Sequence, residues 1–398
     1  MWKTVKLGDV CTIYNGGTPN SKTKTYWEGD IKWLTPKDMG KLDVKFVSDT
    51  ARKITHDGLN NSSAKIVPAN SVILSCRAPI GHVFMNECDM SFNQGCKGLV
   101  PSNEILVEYL YYFLFSSKQL LNDLGTGTTF KEISSKTLSN VSFSYPPLAE
   151  QGRIVAKIDA AFAKIDEVIN AVEAKEIEVQ KLKASLLSSS LNGDAKVWKT
   201  LKLDDIASLT LGKTPSRGNQ KFWDKEKNSK NIWLSIADLS ASNQLYIEDS
   251  KEYLSDEGAK LFKEVPAETL IMSFKLSIGK LAITKCALRT NEAIIAMPIK
   301  DEKLILKEYL YYFLSSMNWD AVAGNDIKVK GKTLNKAKLK EFPILVPPLP
   351  EQERIVAKLD AAYSQFKNAK ESIAKSKANY LALKTAILKE ELQSSKAA

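Results

Sequence analysis

From Ile154 the apolar positions run Ile154, Ile158, Ala161, Ile165, Val168 and Val172, meet Lys175, and continue through Val179, Leu182 and Leu186. A second series runs Ile355, Leu359, Ala362, Phe366, Ala369 and Ile373, then Ser376, then Tyr380, Leu383 and Ile387. The steps alternate between four and three in both. A seven-residue repeat held over about four heptads predicts a left-handed coiled coil rather than a surface helix. Pro350 suits a first helical turn, where its missing N–H costs nothing, and Glu351 there complements the helix dipole. Gly193 is placed to cap the end of the first helix.

The two helices open alike: "PPLAEQGRIVAKIDAAF" at 146–162 and "PPLPEQERIVAKLDAAY" at 347–363 share thirteen of seventeen residues. The duplication extends over the whole chain. "EYLYYFL" occurs at 108–114 and 308–314, "MWKTVKLGDVCTIYNGGTPN" aligns with "VWKTLKLDDIASLTLGKTPS" at 197–216, and "PANSVILSCRAPIG" answers "PAETLIMSFKLSIG". "TYWEGDIKWLTPKDM" answers "KFWDKEKNSKNIWLSIADL", which carries a short basic insertion. Each half is therefore a mixed block, 1–145 or 197–345, followed by a helical segment, 146–196 or 346–398.

Within the blocks, "SVILSC" and "TLIMSF" are bounded by turn residues and predict strands. "EILVEYLYYFLFSSKQLLNDL" predicts one helix with Tyr109, Leu110, Phe113 and Leu114 in the core. "NGGTPN" and "LGKTPSRG" predict loops. The fold class expected is α+β: two pseudo-two-fold-related mixed domains separated by a long antiparallel two-helix coiled coil. Antiparallel pairing follows from connectivity, because the second helix starts where the second block already is. The seam would be about 50 Å long. Matched ends require partner numbers summing to 541, which sets Lys175 opposite Phe366 and Ser376 opposite Ile165. Lys175 would then snorkel over the aromatic ring. The seam residues expected are Ile154, Ile158, Ile165, Val172, Leu182, Leu186, Ile355, Leu359, Phe366, Ile373, Leu383 and Ile387.

Composition narrows the chemistry. No run approaches 18 apolar residues and the N-terminus lacks a signal-peptide core, so a cytoplasmic protein is expected. Five cysteines without a CxxC fit a reducing compartment. Cys76, His82, Cys88 and Cys96 crowd together, but their aligned positions hold Phe274, Lys280, Cys286 and Ile294. Buried thiols are the expectation, with no metal. The net charge is +10, and the two blocks contribute +3 and +5 of it, which suits a polyanion. "ASLTLGKT" at 207–214 fits a loose phosphate-loop pattern, but "PSRGNQ" after it is a poor helix. Only His56 and His82 are present, and no catalytic fingerprint appears. Two diverged modules on a spacer predict a recogniser with no cofactor and no catalytic residues.

The paired "PPLxEQxRIVAKxDAA" openings, the "GGTP" and "GKTP" loops, the "YW…WL…D" pattern and the "EYLYYFL" helices resemble the DNA specificity (S) subunit of Type I restriction–modification systems. The resemblance implies that 1–145 and 197–345 are target recognition domains, each reading half of a bipartite site in double-stranded DNA. The helices at 146–196 and 346–398 would be conserved spacers that also hold two methyltransferase (M) subunits, with restriction (R) subunits joining for cleavage. Methylation would be at adenine N6, with S-adenosylmethionine on the partner. Because the two blocks differ, the site should be asymmetric. Candidate DNA contacts on shared loops are Thr18, Lys22, Lys24, Lys37, Arg77, Asn93 and Gln94, then Lys213, Arg217, Lys221, Lys275, Lys280, Lys328, Lys330 and Lys332. "GTGTTFKE" at 125–132 stands where the family has a phosphate-facing loop, although the second half reads "GNDIKVKGK". The competing readings are a self-sufficient DNA methyltransferase and a coiled-coil scaffold with no nucleic-acid role.

Overall fold

The computed structural model describes residues 1–42, 44–127, 131–192, 197–242, 244–275, 277–323, 327–328, 331–332 and 334–393. They form two compact units, Met1–Glu173 with Ala374–Ala398, and Ala174–Ile373, so the division falls within both long helices. Those helices span Leu148–Leu191 and Leu349–Gln393. Gly193 lies outside the described residues.

In the first unit a five-stranded sheet runs Cys11–Asn15, Cys96–Pro101, Val72–Ser75, Val83–Asn86 and Phe46–Val47 in spatial order. A four-stranded sheet runs Arg52–Ile54, Trp27–Leu34, Met90–Phe92 and Ile66–Val67. Val72–Ser75 is buried along its whole length, as an uninterrupted apolar run demands. The second unit repeats the five-stranded order with Thr210–Leu211, Ile294–Met297, Leu270–Ser273, Leu281–Thr284 and Tyr246–Ile247. Its other sheet differs at two places: an isolated bridge between Val265 and Leu288 stands where the first unit has the strand Ile66–Val67, and one strand is divided. The strand answering Trp27–Leu34 is split into Trp223–Asp224 and Ile232–Leu234 by the basic insertion.

The long helix expected at 104–124 is broken into Val107–Ser116 and Lys118–Leu124. The hydroxyls of Ser116 and Ser117 donate back to the Phe113 carbonyl at 2.8 and 2.7 Å, crowding an oxygen that also accepts the Ser117 N–H at 3.0 Å as the first helix ends.

The duplicated motifs are latches between block and helix. Gln151 is fully buried at the start of the first long helix. Its Nε2 donates to the carbonyls of Pro146 and Glu104, both at 2.8 Å, and its Oε1 accepts from the Leu106 N–H at 2.9 Å. Gln352 repeats this with Pro347, Leu304 and Leu306 at 2.8, 3.0 and 2.9 Å. Tyr112 donates its hydroxyl to Asp159, and Tyr312 donates to Asp360 at 2.5 Å. "EYLYYFL" and the "PPLxEQ…DAA" opening thus occur together because each satisfies the other's buried polar groups.

Within the first unit the two long helices run antiparallel, joined by the ion pairs Lys157–Glu391, Lys384–Asp166 and Lys377–Glu173. Partner numbers there sum to 548 or 550, not 541, a shift of about one heptad. In the second unit Lys183 meets Tyr363, and farther along the first helix Leu187 and Leu191 join the core cluster of Leu359 and Ile355, earlier on the second, again antiparallel. Ile154, Ile158, Ile165, Ile355 and Leu359 are buried, and Val172, Leu186, Phe366, Ile373 and Ile387 are half-buried, as expected of a seam. Leu182 and Leu383 are not in it: they are 58% and 46% exposed. Lys175 is exposed too, and Lys183 and Lys384 face the seam instead. A helix of 3.6 residues per turn drifts by about 20° per heptad against a 3.5-residue repeat, which moves the inward position to the following residue.

Candidate nucleic-acid interface

In each unit one loop is held by two indoles. Trp33 is buried and donates Nε1–H to the Gly17 carbonyl at 2.9 Å, while Trp27 donates to Asn20 at 3.1 Å. Trp233 and Trp223 donate likewise to Lys213 and Ser216 at 3.1 and 3.2 Å. Each pair meets edge to face with centroids 5.0 Å apart. The "YW…W" spacing therefore serves to clamp the "GGTP" and "GKTP" loops. Glycine is required where each loop touches the next turn: a Cβ on Gly16 would lie 2.0 Å from the Asn93 carbonyl oxygen, and one on Gly212 2.2 Å from that of Asn291.

The clamped loops leave hydrogen-bonding side chains at their tips. Thr18 and Gln94 are exposed, and Asn93 Nδ2 donates to Thr18 Oγ1 at 2.8 Å and to Gln94 Oε1 at 3.1 Å. Exposed Lys37 lies with Asn93 along one shallow depression. Arg77 joins the same turn through its N–H to the Gly95 carbonyl at 3.2 Å. Its guanidinium is paired with Glu132 at 2.9 Å, which ties it to the end of the 125–132 segment. Residues 128–130 of that segment lie outside the described residues. Lys22 and Lys24 are exposed on the turn that follows the first loop.

The second unit places Lys213 on its clamped loop and Lys221 on the following turn, both exposed. Arg217 is less free than expected: it pairs with Glu252 and lies 4.3 Å over Trp223. Lys275 stands 5.1 Å over Phe274, and Lys280 leads into Leu281–Thr284. Lys328 and Lys332 belong to a two-residue hairpin, while Lys330 lies outside the described residues.

Two residues escaped sequence reasoning. Arg52 lies 3.6 Å over Trp27 and is exposed, but it aligns with Glu252, so the duplication gave no signal for it. Glu292 stands where the first half has Gln94, and its carboxylate accepts from the Thr214 hydroxyl.

The other candidate chemistries resolve structurally. Cys76 and Cys96 are buried in apolar surroundings, and burial pushes the Cys76 thiol up to about 12. Cys96 Sγ lies 3.6 Å from Met39 Sδ, while Cys88 donates to the Ser48 carbonyl at 3.4 Å. In the phosphate-loop look-alike, the N–H groups of Gly212 and Lys213 donate to Ile294 and Thr290 at 3.2 and 2.9 Å. Backbone donors engaged this way cannot cradle a phosphate. No helix among the described residues is long and apolar enough to cross a membrane.

Comparison with known proteins agrees with this geometry. The family model described as "Type I restriction modification DNA specificity domain" matches residues 1–178 and again 195–378. The MjaIX specificity subunit of Methanocaldococcus jannaschii is 25% identical over 94% of this chain and 89% of its own. A chain from a solved type I R-M system has a TM-score of 0.78 at 20% identity, covering 98% of this chain and 97% of its own. The crystal structure of the HsdS subunit from Thermoanaerobacter tengcongensis has a TM-score of 0.56 at 20% identity, covering 98% and 96%. With the family's domain present twice and each copy built around the same clamped loop, the chain belongs to the Type I restriction–modification DNA specificity family, as a recognition subunit rather than a catalyst.

Proposed function

We propose that the chain reads an asymmetric bipartite site in double-stranded DNA. Residues 1–145 and 197–345 act as the two target recognition domains, and 146–196 and 346–398 as spacer helices. The observation that carries this reading is one scaffold occurring twice with different side chains on equivalent, rigidly clamped loop tips. Identical readers would suit a palindrome; different readers suit two different half-sites. Exposed Lys22, Lys24, Lys37 and Lys213 supply phosphate contacts, which position the protein without specifying sequence.

The helices hold two methyltransferase subunits, and restriction subunits join that assembly. Supporting this, Leu182 in the second unit and Leu383 in the first are repeat-equivalent leucines left exposed on the long helices. S-adenosylmethionine binds the partner, and the chain needs no cofactor of its own. The test is to map N6-methyladenine in the source genome with this gene present and deleted. One bipartite, asymmetric motif should vanish on deletion. A motif that persists, or a palindromic one, would refute the reading.

A further inference from the structure

The 93–95 turn determines which way two neighbouring amides face. The Gly95 backbone N–H donates to Asn93 at 2.8 Å, and since an N–H can only donate, the atom it meets is Asn93 Oδ1. Asn93 Nδ2 therefore points at Thr18 and Gln94. A donor there requires Gln94 to turn its oxygen inward, where the Thr18 hydroxyl donates to it as well. Gln94 Nε2, with two N–H groups, is left with no partner among the described residues on an exposed side chain.

The second half builds the same turn with one change. The Ala293 N–H donates to Asn291 Oδ1 at 3.1 Å, and Thr214, the counterpart of Thr18, donates to Glu292 Oε2. Burial acts to raise the Glu292 pKa. The Thr214 hydroxyl, its own backbone N–H, Lys275 and Arg217 outweigh that and hold it below the usual carboxylate range. An ionised carboxylate offers only acceptors. Equivalent loop tips thus carry a donor in one half and an acceptor in the other.

We infer that Gln94 and Glu292 set opposite base preferences at equivalent positions of the two half-sites, an inference that rests on the proposed reading of DNA. Gln94 favours a keto base, guanine or thymine, whose O6 or O4 accepts in the major groove, because adenine, although its N7 accepts, sets its N6 donor against the amide. Glu292 takes an amino base, cytosine or adenine, whose N4 or N6 donates. Guanine suits Gln94 best, because O6 and N7 lie side by side for two N–H groups. Cytosine suits Glu292 best, because adenine N7 would face the carboxylate with a second acceptor. The wrong class at either position should bind about ten- to a hundredfold more weakly.

The test uses the full-length chain assembled with its methyltransferase subunits and selection from DNA randomised across both half-sites. Gln94→Glu should convert one position of one half-site from keto to amino and leave the other half-site unchanged. Glu292→Gln should do the converse in the other half. Both variants are near-isosteric and keep the inward bond to threonine, and equal melting temperatures would confirm intact folding. Gln94→Ala should lose preference at that one position only. If the wild-type complex shows no bipartite preference, both the DNA reading and this inference fail. A clear wild-type motif that none of the variants alters, or that they alter in the wrong half, overturns the inference alone.

Discussion

The Lys183 ammonium stands 4.2 Å above the ring of Tyr363, and 201 positions along, Lys384 stands 4.8 Å above Phe162. The two pairs are repeat-equivalent but electrostatically different. Lys384 also pairs with Asp166, whereas burial and then Lys370 lower the Lys183 pKa. A folded pKa below 10.5 means the unfolded chain binds more protons, so this lysine destabilises the fold at neutral pH. That cost fades as pH rises toward 10.5. Lys183→Met should therefore be at least as stable as wild type at pH 7, with any advantage shrinking at alkaline pH. Lys384→Met should lose about 0.5–1 kcal/mol, because it strips a partner from a half-exposed carboxylate. Thermal melts across pH decide it; a Lys183→Met protein less stable than Lys384→Met would contradict this account.

Removing the buried amide of Gln151 should cost roughly 3 kcal/mol, because one buried N–H and two carbonyls lose their partner. Gln151→Glu should be no better than Gln151→Met, since a carboxylate cannot donate to Pro146 and Glu104. Urea denaturation followed by tryptophan fluorescence measures this. Full stability in Gln151→Glu would show that the latch is not a hydrogen-bonding one.

Gly16→Ala should push the clamped loop off the 93–95 turn, since the added carbon falls 2.0 Å from a backbone oxygen. We expect a loss of about 2 kcal/mol in stability. DNA affinity of the assembled complex should fall at least about tenfold, for that half-site only. Competition binding with DNA altered in one half-site at a time reads the second effect.

Salt dependence separates free cations from paired ones. Lys24→Ala should weaken binding uniformly across sequences and reduce the slope of log K against log salt by about one. Arg217→Ala should change the slope less, because Glu252 already neutralises that guanidinium. Binding isotherms over a salt series provide the measurement, and equal slope changes for the two variants would refute the distinction.

Much of this protein was legible from residues alone, and the reason is duplication. Gln151 with Gln352, and Tyr112 with Tyr312, recur because the same buried latch is built twice, so repetition marked what the fold needs. The heptad pattern established the two helices, and connectivity their antiparallel sense. Arg52 stayed hidden because its role comes from stacking on Trp27, 25 positions away, and the second half makes the same stack with Arg217, which stands at a non-equivalent position in the sequence. The orientation of Gln94 was equally hidden, since it depends on which atom of Asn93 the Gly95 N–H meets. The helix register had to come from the tertiary structure. A seven-residue repeat looks the same after sliding by seven, so partner sums of 541 and 548 satisfy the apolar pattern almost equally. What selects between them is docking: Leu388 and Leu392 enter the core of the first unit, and Leu187 and Leu191 that of the second. Burial in those cores distinguishes one heptad from the next, where the seam alone does not.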